Sequence, residues 1–422
     1  MNRRQFLSAA AAGAVSSAMA GATAAAAAKQ QATSAPTSAP ANGELATPPP
    51  GVQYFTQERL AKAIDITPSL EGIDFTAVTF VCNLWHPSPV LEKWFGKGFS
   101  EWEICRRAKA LFEGHYQPKR PLWGTYKEAT VEWAQREIDL AASSGLDVFM
   151  VDWYWHEGQM FLHEWLEDAF LKSPNRDRMK FAVMWANHHW TNFYLAPEEG
   201  QEAILLPQNY SDADMDRLCG YLIDHYFTQP NYWTIDGKAV FAVFWVGHLI
   251  EHFGATRLHK IFDGWEGRAR KAGLAGIHFQ ACDQYDARTP LIEAGFSSST
   301  RYHTFAWGGK TQRTPFVEGA EWSIHVWKDQ SAGIKVPYFP QCPVGWDNSP
   351  RYGRNAKVFV NRSADQFERL LVAAKHDVAR KKLATPAVYM GAWNEWTEDH
   401  YLLPDEVYGY SYIEAVRRQF GA

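Results

Sequence analysis

The sequence predicts an α/β fold, a single (β/α)8 TIM barrel in which parallel strands and helices alternate along the chain. Three observations predict it. Short, nearly continuous apolar runs are typical of strands buried on both faces. Amphipathic segments between those runs indicate parallel βα units. About 370 residues follow position 50 without a linker, repeat or change of composition, an ordinary length for one barrel with insertions.

The elements follow in chain order. Seven apolar runs are predicted strands, at 77–82, 147–152, 180–186, 239–245, 275–281, 336–341 and 386–393. A less apolar stretch at 295–300 supplies the eighth. Predicted helices, with apolar residues three and four apart, lie at 130–144, 211–226, 255–272, 363–382 and 407–419. A doubly wound open sheet is the alternative, but no GxGxxG or GxxxxGKS/T turn follows a predicted strand.

Residues 1–28 are predicted to be a twin-arginine export signal, because Arg3 and Arg4 precede an uncharged, Ala-rich run. A chance arginine pair before a membrane anchor is the alternative. Residues 29–50 are rich in Ser, Thr, Ala and Pro and are predicted to be a disordered spacer, so the folded domain would occupy 51–422. The signal implies the twin-arginine translocase as a partner during export and a periplasmic or extracellular location.

Charge and cysteine usage exclude several classes of protein. With 42 Lys+Arg against 47 Asp+Glu, the chain lacks the basic surplus of a nucleic-acid-binding protein. Five widely spaced cysteines form no CxxC pair or metal-ligand cluster, so no metal and no cofactor are expected. After the signal, no apolar run approaches the roughly 20 residues that span a bilayer.

Aromatic residues are unusually frequent, at 15% with 19 Trp, and polar residues accompany them where predicted strands end. Core packing explains the Trp residues but not the polar neighbours, because buried polar groups need partners. A shared cleft that binds sugars explains both, since sugar CH faces stack on indoles and hydroxyls bond to polar side chains. The candidate binding residues of this kind are Trp85, His86, Asp152, Tyr154, Trp155, Asn187, His189, Trp190, Asp283, Asn394 and Trp396. Trp133 and Trp165 lie in helical patterns and are expected to be packing residues.

The last predicted strand leads into two carboxylates three residues apart, Glu395 and Glu398. Glycosidic cleavage usually needs two carboxyl groups in different protonation states. Glu395 is expected over the barrel mouth and Glu398 on the loop, within reach of a leaving oxygen. The alternative is that one of them is a structural anion paired with a basic residue. His188 and His189, being adjacent, should point opposite ways and are poorly placed to bind one metal ion together.

In order along residues 78 to about 415, several stretches together resemble the WbsX-type, glycoside hydrolase family 99-like domain. They are Trp94–Trp102, Phe112–Pro118, Trp185–Asn187, Asp236–Lys238, Gly345–Arg351, Ala392–Glu398 and Tyr408–Tyr410. The resemblance implies a (β/α)8 barrel that acts on a glycan, and adds Trp346, Asp347, Asn348 and Arg351 to the binding candidates.

In family 99 enzymes, which cleave within α-mannosidic chains, an E-W-x-E motif is similar to residues 395–398 here. The resemblance implies that Glu395 deprotonates the sugar 2-hydroxyl and that Glu398 protonates the leaving group and later activates water. Retention would then pass through a 1,2-anhydro sugar. Two departures lie in the expected cleft: Asn187-His188 replaces the usual Asn-Glu, and Asp152-Trp153-Tyr154-Trp155 replaces Tyr-His-Tyr-Trp.

The sequence therefore favours an exported retaining glycoside hydrolase whose partner is an oligosaccharide or polysaccharide. Three alternatives remain. The departures at Asp152 and His188 suit a non-catalytic glycan-binding barrel. Some WbsX-type domains are described as glycosyltransferases of polysaccharide biosynthesis, although nucleotide-sugar donors are scarce outside the cytoplasm. The third alternative is a metal-dependent hydrolase or oxidoreductase. It is motivated by the predicted twin-arginine signal, because that route often exports prefolded proteins that contain cofactors.

Overall fold

The computed structural model describes residues 55–421 apart from 193–202, 284, 287 and 305–312, and omits the side chains of 329 and 330. The predicted export signal and spacer lie outside the described residues. Among the described residues, no helix is both long and apolar enough to cross a lipid bilayer.

Eight parallel strands form the centre of the fold. They are β1 (Thr76–Val81), β2 (Val148–His156), β3 (Lys180–Trp185), β4 (Lys238–Trp245), β5 (Ile277–Asp283), β6 (Ser298–Ser299), β7 (Gln341–Cys342) and β8 (Ala387–Met390). Their hydrogen-bonded order is β6-β5-β4-β3-β2-β1-β8-β7. A parallel bridge between Ser299 and Tyr338, just before β7, joins the two ends of this order. The eight strands therefore close into a ring, and the predicted (β/α)8 barrel is confirmed.

All eight predicted strands are present, including the weakly apolar one at Ser298–Ser299. That strand is wholly buried despite its serines, because the Phe339 N–H donates to the Ser299 carbonyl and the Ser299 N–H donates to Pro337. The apolar runs identify strands well because most residues of β1 and β2 are buried on both faces.

Eleven α-helices are present in the described residues. They are α1 (Gln57–Ala63), α2 (Pro89–Phe95), α3 (Trp102–Arg107), α4 (Val131–Ser143), α5 (Asp212–Leu222), α6 (Val246–Phe253), α7 (Ala255–Lys271), α8 (Phe316–His325), α9 (Ser349–Tyr352), α10 (Ala364–Lys381) and α11 (Ser411–Phe420). Side-chain caps set several starts: Thr130, Ser211 and Ser363 each accept a hydrogen bond from a first-turn N–H.

Two connections depart from regular βα alternation. Between β2 and β3 the chain forms a π-helical turn at Trp165–Ala169 and 3-10 turns instead of an α-helix. The described residues between β5 and β6 contain turns and no α-helix. Predicted helix 211–226 ends earlier as an α-helix and continues as a π-helical turn at Ile223–Phe227.

Several short strand pairs lie outside the eight parallel strands of the barrel. β2 forms a hairpin with Gln159–Phe161, and Trp190–Thr191 pairs with Ile204–Leu206. Thr234–Ile235 pairs with β4, and Arg313–Pro315 pairs with Val358–Val360. After β8, Asn394–Glu395 pairs with His400–Tyr401 around a 3-10 turn at Trp396–Glu398. This last hairpin places both predicted catalytic carboxyls at the carboxyl end of the barrel, where barrel enzymes carry their sites.

Candidate active site

The β8 hairpin is held in place by its backbone. The Asp347 N–H, from the loop after β7, donates to the Glu398 carbonyl at 2.7 Å. Asp399 closes the turn in the left-handed region at φ +55°, and its carboxylate accepts two hydrogen bonds from Arg362 at 2.7 and 2.8 Å. The Glu398 side chain therefore projects from a turn that is fixed on both sides.

Glu395 and Glu398 are both buried, and both contact the Arg351 guanidinium. Burial and mutual repulsion of neighbouring carboxylates favour a proton on one of the two groups. Burial and the charge of Glu395 raise the pKa of Glu398 well above its usual range. Burial also raises the pKa of Glu395, but the Arg351 charge and the Tyr302 hydrogen bond oppose that rise. These opposing effects favour the proton on Glu398 and the charge on Glu395.

Arg351, on α9, neutralises the pair. Its Nη1 contacts Glu398 Oε1, and its Nη2 lies 3.4 Å from Glu395 Oε1. The same Nη2 donates to Glu101 Oε1 at 2.8 Å. Glu101 is wholly buried and also accepts a hydrogen bond from Thr397 Oγ1 at 2.6 Å. One guanidinium thus contacts three buried carboxyl groups.

Tyr302 follows β6, and its hydroxyl lies between a carboxyl oxygen of Glu395 and one of Asp152. Its hydroxyl is 2.5 Å from Glu395 Oε2 and 3.1 Å from Asp152 Oδ2. Burial and the charge of Glu395 raise the pKa of Asp152 well above its usual range. Glu395 accordingly accepts hydrogen bonds from Tyr302 and Arg351, which is the environment of an ionised carboxylate.

These groups surround a cavity of about 280 Å³ at the barrel mouth. Its lining residues are Cys82, Leu84, Asp152, Tyr154, Met184, Ala186, His188, Trp190, Phe244, Tyr302, His303, Arg351, Tyr352, Glu395 and Glu398. The wall combines apolar and aromatic surface with a few convergent polar groups, the usual make-up of a small-molecule site. Within the described ranges, no three His, Cys, Asp or Glu side chains are grouped to hold a metal ion.

His188 adds a neutral imidazole to this wall. Burial lowers the pKa of His188, so the ring is uncharged. Its Nδ1 lies 2.9 Å from the His189 carbonyl, which only accepts hydrogen bonds. Nδ1 therefore carries the hydrogen, and Nε2 is left as an acceptor.

A family model described as Glycosyltransferase WbsX matches residues 77–416. The chain belongs to this family. Two proteins named uncharacterized protein WxcX, from Xanthomonas campestris pv. campestris strains B100 and ATCC 33913, are 25% and 26% identical over 363 and 364 residues. Each alignment covers 82% of this chain and 50% of the relative, so this WbsX chain spans about half the length of the curated relatives that it matches.

Two solved structures share the fold of this WbsX chain. A glycoside hydrolase-like protein is 12% identical with a TM-score of 0.58, covering 83% of this chain and 94% of its own. The GH99 endo-alpha-mannosidase of Bacteroides thetaiotaomicron is 14% identical with a TM-score of 0.53, covering 81% and 96%. At these identities the likeness establishes the barrel architecture only.

Some of the site residues predicted for this WbsX chain line the cavity: Asp152, Tyr154, Trp190, Arg351, Glu395 and Glu398. His188, expected in the cleft as a departure from the family pattern, also lines it, whereas Tyr302, His303 and Glu101 were not among the predicted site residues. Tyr302 and His303 directly follow predicted strand 295–300, so the strand-end pattern that selected the other candidates could have found them. Glu101 lies within the quoted family stretch 94–102 but follows no strand, so that pattern could not select it.

Four tryptophans predicted to bind sugar are placed in the protein interior instead. Trp396 is wholly buried, donates to the Tyr126 hydroxyl at 2.9 Å and stacks on Tyr401. Trp85 packs against Trp102 with ring centroids 4.4 Å apart. Two more, Trp155 and Trp346, are 5% and 4% exposed and are not among the residues that line the cavity. None of these four indoles lines the cavity, so their predicted binding role stays a prediction.

Four polar candidates bond to the protein rather than line the cavity. Asn394 accepts a hydrogen bond from the Cys82 N–H at 2.8 Å, which joins the β8 hairpin to β1. Asn187 accepts from the Trp245 N–H at 2.6 Å. His86 Nδ1 lies 2.9 Å from Glu128 Oε1. His189 Nδ1 accepts a hydrogen bond from the Gln208 N–H at 2.8 Å. These contacts satisfy buried polar groups and fix the strand ends, while the predicted contact of the four residues with a glycan stays a prediction.

Three remaining candidates also hold loops. Asp283 lies 3.5 Å from Arg301 Nη1, and Asn348 accepts from the Lys357 N–H at 2.9 Å. Asp347 Oδ2 lies 2.7 Å from His115 Nε2. Burial opposes ionisation of Asp347, but the His115 hydrogen bond and nearby Lys119 lower its pKa to about 2.

Proposed function

We propose that this WbsX-family protein is a retaining glycoside hydrolase that cleaves a glycan, with Glu395 as base and Glu398 as acid. The observation that carries the proposal is that these two buried carboxyl groups contact one guanidinium, that of Arg351, at the barrel mouth. The pair supplies one ionised and one protonated carboxyl side by side, the two protonation states that glycosidic cleavage requires.

The E-W-x-E motif, which is similar to that of family 99 enzymes, supports a 1,2-anhydro route over a glycosyl-enzyme. In the usual retaining scheme the second carboxylate bonds to the anomeric carbon. In the 1,2-anhydro route Glu395 and Glu398, which both contact Arg351, act only as base and acid, and neither has to reach that carbon.

In the first step Glu395 removes the proton of the sugar 2-hydroxyl, and that oxygen forms a bond to C1. The bond from C1 to the leaving oxygen breaks, and Glu398 gives its proton to that oxygen. In the second step Glu398, now ionised, takes a proton from water as the water oxygen adds to C1. The C1–O2 bond opens, and Glu395 returns its proton to O2. Two displacements at C1 retain the anomeric configuration.

The proposed substrate class rests on the family description, a structural neighbour and the predicted export signal. The family is described as a glycosyltransferase family, and the named structural neighbour is an endo-alpha-mannosidase. An α-mannosidic or other bacterial surface polysaccharide is therefore the first candidate. Export through the twin-arginine route, predicted from residues 1–28, would bring the enzyme to such a polymer.

The test is incubation with a panel of α- and β-linked mannans, rhamnans and bacterial surface polysaccharides, read by product mass. Glu395→Gln and Glu398→Gln should each lower kcat by about 10²–10⁴-fold, because each removes one proton-transfer group. Glu103→Gln, in an exposed surface ion pair, is the matched control and should keep full activity. NMR of the first-formed product should show the retained anomer. Full activity in both active-site variants, or an inverted product, would refute the mechanism.

Glycosyl transfer is the second candidate, because the family description names it. A nucleotide-sugar donor brings a diphosphate, which needs cations. The cavity region instead holds Asp152, Glu395, Glu398 and Glu101 around Arg351. This excess of carboxyl groups disfavours a diphosphate. Incubating the protein with nucleotide-sugars and an acceptor glycan tests it, and release of nucleotide that Glu398→Gln abolishes would support transfer.

A further inference from the structure

The Tyr302 hydroxyl contacts two carboxyl oxygens but has only one proton to donate. The shorter contact, 2.5 Å to Glu395 Oε2, takes that proton. The contact to Asp152 Oδ2, at 3.1 Å, then sets a phenol lone pair against a carboxyl oxygen. Two lone pairs repel, so this contact is a hydrogen bond only if the proton lies on Asp152.

The surroundings of Asp152 support that placement. Its side chain is 5% exposed, and within the described part of the chain its Oδ1 is buried and accepts no hydrogen bond. The charged and titratable groups around it are Tyr302, Glu395, Arg351, Cys82, Cys282 and Tyr154. No ion pair joins it to any basic side chain among the described residues. An ionised Asp152 would be a buried charge with few donors, whereas a neutral carboxyl leaves only one carbonyl oxygen unsatisfied.

We propose that Asp152 is a neutral acid that donates its proton to Tyr302, so that Tyr302 donates to Glu395 and holds it as the anionic base. Its role as a positioning residue rests on the proposed function of Glu395. Hydrogen bonds in a chain strengthen one another, so loss of the Asp152 donor weakens the bond from Tyr302 to Glu395. The raised pKa of Asp152 agrees with this arrangement.

Infrared difference spectroscopy tests the protonation state without any substrate. The spectrum of the wild-type protein minus that of Asp152→Asn, at neutral pH, should show the C=O stretch of a protonated carboxyl group. Asp286→Asn is the control, because Asp286 is an exposed carboxylate bonded to Arg288, and its difference spectrum should show only carboxylate bands. Carboxylate bands alone in the Asp152→Asn difference would overturn the proposal. This result does not depend on turnover, so it separates failure of the inference from failure of the proposed function.

The pH profile of kcat/KM on a polysaccharide cleaved in the panel tests the positioning role. Asp152→Asn keeps a donor to Tyr302 and should leave the acidic limb in place. Asp152→Leu removes the donor, so Glu395 should titrate at higher pH, with the acidic limb moving upward and kcat/KM falling about 10²-fold. An anionic Asp152 would give the opposite result, since both variants would move that limb to lower pH. Thermal melting shows whether the Asp152→Leu variant folds. If it does not, the Asp152→Asn profile alone tests the proposal, because an acidic limb at lower pH would overturn it and an unmoved limb would support it.

Discussion

Glu101 and Arg351, 250 residues apart in the chain, form a buried ion pair at 2.8 Å beside the carboxyl groups of Glu395 and Glu398. Glu101 comes from the loop between α2 and α3, and Arg351 comes from α9. Thr397, between Glu395 and Glu398, donates to the other oxygen of Glu101. The pair therefore ties the loops after β1, β7 and β8 together at the site.

Removing Arg351 should destabilise the protein as well as the site. Arg351→Met leaves Glu101 buried without its cation, a loss of about 3–5 kcal/mol by analogy with other broken buried pairs. Urea denaturation should show that the double variant with Glu101→Gln loses less than the sum of the single variants. Arg106→Met, in an exposed pair with Glu103, is the control and should cost at most about 1 kcal/mol. Additive losses would contradict direct coupling.

His86 should make stability depend on pH. Burial alone would lower its pKa, but hydrogen bonds to Glu128 and Glu164 raise it to about 9. A raised histidine pKa stabilises the fold fully below about pH 6.5, and this contribution disappears as pH rises through about 9. The stability difference between wild type and His86→Gln should therefore shrink from pH 6 to pH 9.5. Exposed His225→Gln is the control, and a difference that grows with pH would refute the assignment.

Two tryptophans should separate packing from binding. Trp396→Ala removes a wholly buried indole and should cost about 3–5 kcal/mol of unfolding free energy. Trp190 lines the cavity, so Trp190→Ala should weaken glycan binding by up to about tenfold, the value of one aromatic contact of about 0.5–1.5 kcal/mol. Calorimetry on the Glu395→Gln background measures binding without turnover. Unchanged affinity in Trp190→Ala would remove it from the binding surface.

Gly391, directly after β8, should tolerate no side chain. A Cβ there would overlap the His400 imidazole and lie 3.0 Å from the Val344 N–H nitrogen. Gly391→Ala should therefore lower stability by about 1–3 kcal/mol and reduce activity, because it moves the hairpin that carries Glu395. Gly264→Ala, on α7 with open space around it, is the control and should stabilise by about 0.5–1 kcal/mol. Equal melting temperatures for the two variants would contradict this.

The sequence was most informative where the chemistry is local. Glu395 and Glu398 lie three residues apart after a strand, so their proximity follows from the chain itself. His188 and His189 were expected to point apart, and only His188 reaches the cavity. Tryptophans were harder to assign, because an indole after a strand has the same sequence pattern whether a loop covers it or leaves it facing the cavity. Trp396 and Trp190 are both buried, but only Trp190 lines the cavity.

By itself, the sequence determined the barrel and the strand that carries the carboxyl pair, because apolar periodicity records which segments are buried. Only the tertiary structure decided which residues meet at the mouth. Tyr302 reaches Asp152 and Glu395 from a different strand, and Arg351 reaches Glu101 across the ring. Protonation states depend on those distances and on burial, which chain order does not encode. The different protonation states proposed for Glu395 and Asp152 therefore depend on the closed barrel.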